Sequence, residues 1–137
     1  MSDRALRYAL AAVAVGGAAV SSYLTYVHYH PAALVCTAGG GCETVQQSHY
    51  AVLLGLPIAL YGLVAWVAVV GLVLWDTELA RALVAAVAVS ALGFAAYLVI
   101  LQLAVIHAVC VWCMVNDVVL VPALAVLAGS RILRPRD

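Results

Sequence analysis

Apolar residues dominate four stretches of the chain, at about 5–27, 53–75, 79–106 and 110–129. A helix that crosses a bilayer needs about 20 mostly apolar residues, and each stretch reaches or approaches that length. In lipid every backbone N–H and C=O must be bonded internally, so these stretches are expected to be helices. A more polar loop at about 28–52 separates the first from the second, while the turns at about 76–78 and near His107 are short. Pro57 is expected in the first turn of the second helix, where its missing N–H costs nothing. Pro122, inside the fourth, is expected to kink it. Gly16, Gly17 and Gly93 are expected to let helices approach closely. The pattern predicts an all-α membrane protein, a four-transmembrane-helix bundle forming one domain over 1–137.

Composition excludes most alternatives. Of the 137 residues 68 % are hydrophobic and 9 % charged, against roughly 45–50 % and roughly 25 % in an ordinary soluble domain. A water-soluble globule of this size cannot hide that much apolar surface, so a cytosolic enzyme, a disordered tail and a nucleic-acid binder are all excluded. The formal net charge is zero, which implies no strongly charged partner. The cations are all arginine, and with four passes Arg4, Arg7, Arg81, Arg131, Arg134 and Arg136 fall on one side. The positive-inside rule then puts both termini in the cytoplasm, and the long loop and the His107 turn on the extracytoplasmic face. The first stretch has the basic flank of a signal peptide but is too long for one, and reads as a helix.

That topology makes the cysteines informative. Cys36 and Cys42 flank a run ending in Gly39, Gly40 and Gly41, and Cys110-Val111-Trp112-Cys113 opens the fourth helix. Both pairs lie on the same face, in a compartment that tolerates disulfides. At a helix start the first cysteine of a C-x-x-C meets unpaired N–H groups that favour the thiolate, the species that attacks disulfides. Residues i and i+3 share a helix face, so the pair can close a disulfide. A pliant glycine run would let Cys42 swing between Cys36 and the helix pair. The competing readings are inert buried thiols, a plain structural disulfide beside an unrelated C-x-x-C, and a zinc site. Two pairs at matched depth favour redox exchange over each of these.

Cys42-Glu43-Thr44-Val45, Ser48-His49-Tyr50, the run from Gly55-Leu56-Pro57 to Tyr61-Gly62, and Cys110-Val111-Trp112-Cys113 together resemble the vitamin K epoxide reductase family in its short bacterial form. The resemblance implies four helices around a quinone pocket, with menaquinone or ubiquinone as cofactor. It implies that electrons pass from a thioredoxin-fold partner to Cys36, then to Cys42 and Cys110, and that Cys113 delivers them to the quinone. It matches Ser48 to a head-group residue and Tyr50 to an aromatic packed by the loop. The chain lacks the fused thioredoxin-like domain of many bacterial members, so the partner is expected to be a separate protein. Where the animal enzymes carry pocket polar groups this chain has Ile58 and Asp117, which argues against the alternative function, reduction of a quinone or vitamin K epoxide with thiols as fuel.

Asp117 lies four residues after Cys113 and shares its face. A carboxylate at membrane depth is costly and faces a cavity or a partner. It reads either as a proton donor or hydrogen-bond donor to a quinone oxygen, or as a structural interhelical bond. Gln102 reads as structural. Tyr61 reads as a pocket residue, Trp66 as helix packing, and His107, one turn before Cys110, as a candidate thiolate stabiliser. The sequence thus predicts a quinone-dependent thiol oxidase with Cys36, Cys42, Cys110 and Cys113 as catalytic residues and Ser48, Tyr50, Tyr61 and Asp117 at the quinone. No metal and no nucleic-acid partner are expected.

Overall fold

The structure is a computed structural model that describes residues 2–36 and 41–134. Arg136 and the glycines Gly39 and Gly40 lie outside the described residues. The first span, α1 (Asp3–Tyr29), starts at Ser2, whose hydroxyl accepts the Ala5 N–H. A side-chain oxygen at this position satisfies one of the open donors of a helix start. The short helix α2 (Gly41–Gln46) follows. A two-stranded hairpin, β1 (Val52–Leu53) and β2 (Leu56–Pro57), leads into α3 (Ile58–Trp75). Next come α4 (Glu78–Ile100), continued by a π-helical stretch Leu101–Ile106, and α5 (Val111–Met114). A second π-helical stretch, Val115–Leu120, joins α5 to α6 (Val121–Ile132). Four continuous spans result, Asp3–Tyr29, Ile58–Trp75, Glu78–Ile106 and Val111–Ile132. The protein is a helical membrane bundle.

The buried positions of α1 are Leu6, Leu10, Ala14, Gly17, Ser21, Leu24 and Val27. That spacing of three to four residues makes one continuous seam, and α1 packs it on α3 and α6. Trp66, Val69, Val84, Ala88, Val121 and Leu124 complete the central core. Val64, Leu74, Val89, Val118 and Val126 face outward and are exposed, as lipid-facing positions must be in a chain with so little polar surface.

Two expectations need correction. The second helix begins at Ile58, not near Leu53, because Leu54 and Gly55 both take positive φ, 56° and 82°. Two such residues form the hairpin turn that fits the twist of its strands, and Pro57 becomes the cap residue before the helix. Of the three glycines named above, Gly17 alone is required by helix approach. A Cβ there would run into the Trp66 ring, whereas at Gly16 it would meet only Leu120 at 4.0 Å and at Gly93 nothing within 4 Å. Pro122 sits at the start of α6, directly after the π-helical stretch. The wider turn accommodates the carbonyl that the proline ring cannot bond.

At the end of the bundle that holds Asp3, ionic side chains from the first, third and fourth spans meet Asp76 of the turn after α3. Arg131 reaches Asp3 at 3.1 Å and Asp76 at 2.6 Å, and Arg81 reaches Asp3 at 2.9 Å. Arg7 donates to the Val73 and Leu74 carbonyls at 3.0 Å each. Asp76 ends α3 in the left-handed conformation, which a short acidic side chain tolerates, and Thr77 then caps α4 by accepting the Ala80 N–H. The Arg131 guanidinium and its neighbours Arg7 and Arg81 hold the Asp76 carboxyl below its ordinary value, against the opposing and larger single effect of its burial.

Candidate redox site

The four cysteines gather at the opposite end. Cys36 and Cys42 are joined by a disulfide, while Cys110 and Cys113 are free thiols. Cys42 and Cys110 are both fully buried, and with Leu24, Val27 and Val45 they form one packed cluster. Cys36 and Cys113 pack against its margin. The outer and inner pairs are therefore parts of one assembly.

Local sequence explains the approach. Gly41 opens α2, and a Cβ at that position would collide with the backbone of Val109. Glycine here serves close contact with the chain entering the C-x-x-C, a role different from the pliancy expected of the run. One turn along α2 from Cys42, Gln46 directs its side-chain N–H groups at Cys113 Sγ, 3.3 Å away, and Cys110 Sγ, 3.8 Å away. The segment before Cys36 is pinned from two sides. The Val35 N–H donates to the Tyr23 hydroxyl at 2.7 Å, and the Trp112 indole N–H donates to the Val35 carbonyl at 2.7 Å. Trp112, inside the C-x-x-C, thus helps to place Cys36.

Cys110 caps the fourth span, and its sulfur accepts the Cys113 backbone N–H at 3.4 Å. The Cys113 thiol, by donating to the Cys110 sulfur, is the main cause that holds the Cys110 thiol at about 7 instead of an ordinary 9.0. Burial opposes it, and the Cys113 backbone N–H, Gln46 and the Trp112 backbone add to it. Gln102, fully enclosed, accepts the Cys110 backbone N–H at 2.8 Å, so a residue expected to be structural bonds the redox helix itself. His107 stands exposed in a left-handed turn.

Beside this assembly lies a cavity of about 490 Å³, within the range of roughly 300–1,000 Å³ typical of small-molecule sites. Cys113 lines it; Cys110 does not. Ser48, Tyr50, Tyr61 and Asp117 all line it as well. Ser48 donates to the Val45 carbonyl at 2.8 Å and Tyr61 to the Leu53 carbonyl at 2.8 Å. Tyr50 is 40 % exposed beside the hairpin. Asp117 is buried and accepts the Asn116 amide at 3.0 Å, and Asn116 in turn accepts the Trp66 indole N–H at 2.9 Å. The sequence reading missed Gln46 and Asn116 as site residues. The one available signal for Gln46 was its i+4 spacing from Cys42 on a short helix. The walls are mainly apolar, among them Ile58, Ala59, Phe94 and Leu98, with Gln46, Asn116 and Asp117 beside Cys113. A lipophilic ring that carries two oxygens fits these residues.

A dithiol that meets a disulfide on one side and a greasy cavity on the other, inside a membrane bundle, defines a membrane thiol oxidoreductase. The profile of the vitamin K epoxide reductase family matches residues 8–128 of this chain. The chain belongs to that family, and is thus a membrane thiol/quinone oxidoreductase in the general sense.

Proposed function

We propose that this protein oxidises the dithiol of a thioredoxin-fold partner at the extracytoplasmic face of the cytoplasmic membrane, and so supports disulfide formation in exported proteins. The observation that carries the proposal is the division of the inner pair. Cys110 is buried with Cys42, while Cys113 lines the cavity. The six arginines on one side of the predicted topology support the orientation, with both termini in the cytoplasm.

The partner thiolate attacks Cys36 Sγ, and Cys42 leaves as a thiolate. The second partner thiol then resolves the mixed disulfide and releases Cys36, leaving the partner oxidised. Cys42 attacks Cys110 Sγ of an oxidised Cys110–Cys113 pair and Cys113 leaves as a thiolate. Cys36 attacks Cys42, re-forms the outer disulfide and frees Cys110. Two electrons have then moved inward. The arrangement with the outer disulfide closed and the inner thiols free corresponds to the point before they leave. A bound quinone supplies a two-electron, two-proton acceptor. Ser48, Tyr50, Tyr61 and Asp117 would hold it, with Asp117 carrying a proton at its carboxyl. The Cys110–Cys113 pair would give it two electrons, through Cys113 at the cavity wall, as its disulfide closes.

The direct test is anaerobic. Purified, reduced protein is mixed with a ubiquinone or menaquinone analogue, and quinone absorbance is followed with thiol counting. The expected result is loss of two thiols for each quinone reduced, in a two-electron exchange. Thiols that persist with both quinones overturn the proposal.

A further inference from the structure

Gln46 belongs to no part of the relay as described, yet its side chain bonds both inner sulfurs. It stands one turn from Cys42 on α2, its amide reaches both inner sulfurs at 3.3 and 3.8 Å, and it lines the cavity beside Cys113. An amide N–H aimed at sulfur favours thiol and thiolate, which accept hydrogen bonds, over a disulfide, whose sulfurs accept them poorly. Its carrier helix is fixed at one end by the Cys36–Cys42 bond and by the contact of Gly41 with the Val109 backbone, so the amide is held in place without being drawn there by the inner pair.

We propose that Gln46 is a positioning residue that holds the reduced Cys110 and Cys113 sulfurs and thereby sets the redox balance of the inner pair. The proposal rests on the reading of Cys110–Cys113 as the inner redox pair. By stabilising the reduced form, Gln46 makes that pair a stronger acceptor of electrons from Cys42. The depressed Cys110 thiol, to which Gln46 contributes, accords with this.

The test equilibrates quinone-free, detergent-solubilised full-length protein with glutathione buffers of graded ratio. Thiols are then trapped by acid and alkylation under denaturing conditions, and the Cys110–Cys113 disulfide is quantified by peptide mass spectrometry. Oxidation consumes glutathione disulfide and releases two glutathione thiols, so the exchange is balanced. Gln46→Leu, which keeps the bulk and removes the donors, is expected to shift the equilibrium about tenfold toward the disulfide, equal to about 30 mV for this two-electron couple. Gln46→Glu, which brings a negative charge to the sulfurs, is expected to shift it at least as far. Gln47→Leu, at the exposed turn residue that follows α2, is expected to shift nothing. A Gln46→Leu protein whose outer disulfide forms normally and whose inner equilibrium equals wild type overturns the proposal and leaves the relay intact. A wild-type inner pair that stays reduced at every ratio overturns both.

Discussion

The Gln102 side-chain oxygen and the Cys110 backbone N–H are 2.8 Å apart, in a chain that has just left its helix. Between them the backbone passes through the left-handed His107, and the Ala108 N–H returns to the Gln102 carbonyl at 3.1 Å. One residue therefore closes the turn with its main chain and fixes the redox helix with its side chain. Gln102→Leu leaves a buried N–H unpaired, a cost of about 1–3 kcal/mol. The expected outcome is a lower thermal midpoint in detergent, with Gln102→Glu closer to wild type because it retains an acceptor.

The division of the two cysteine pairs predicts two different failures. Cys113→Ala should still exchange disulfides with a thioredoxin-fold partner through Cys36 but reduce no quinone. Cys36→Ala should lose the protein partner while small thiols still react. Stopped-flow assays with protein and small-molecule dithiols separate the cases, and a Cys36→Ala enzyme that oxidises the protein partner at the wild-type rate contradicts the order of transfer.

With the outer disulfide closed, the free thiols are Cys110 and Cys113, so ultraviolet thiolate absorbance reports the inner pair alone. Cys110 is held at about 7. Its thiolate population should therefore rise with pH through about 7, and exchange at Cys110 should slow as pH falls below that point. Cys113→Ala removes the largest cause of the depression, so the midpoint is expected to move up toward 9.0.

Arg131 binds Asp3 and Asp76 with its side chain 4 % exposed. Removing one partner from a buried ionic cluster typically costs about 3–5 kcal/mol. Arg131→Met is expected to destabilise the bundle by about that amount, read as earlier unfolding in a denaturing detergent. Because the Asp76 pKa is lowered in the folded protein, its contribution is present above the ordinary carboxylate range and is lost as pH falls through the lowered value. Acid should therefore narrow the gap between Arg131→Met and wild type.

Gly17 and Gly16 make a paired test of packing. Gly17→Ala forces the Trp66 ring to shift, with a cost of about 1–3 kcal/mol for overpacking, and strains the Trp66–Asn116 bond beside Asp117. Gly16→Ala meets ordinary contact and should behave as wild type in the same detergent unfolding assay.

The four spans, the two cysteine pairs and their convergence at one end are legible in the chain. Bilayer crossing demands length and apolarity, which any run of residues displays, and a C-x-x-C carries its own geometry along a helix. The arginines were legible only as markers of sidedness. Their pairing with Asp3 and Asp76 joins residues as far as 128 positions apart, and no local pattern encodes such a partnership. The same holds for Gln46. Its meeting with Cys113 spans 67 positions and depends on Gly41 lying against Val109, where a side chain would clash.

What the sequence by itself determined is the solvent this protein folds in, the number of times it crosses, and the sulfur chemistry it carries, since all three follow from residue type and short spacing. Only the tertiary structure decided which thiol opens on the cavity, which amides hold the sulfurs and which charges close the far end. Those depend on how four helices are rotated and staggered against one another, and packing fixes that rotation through many small contacts at long sequence separation.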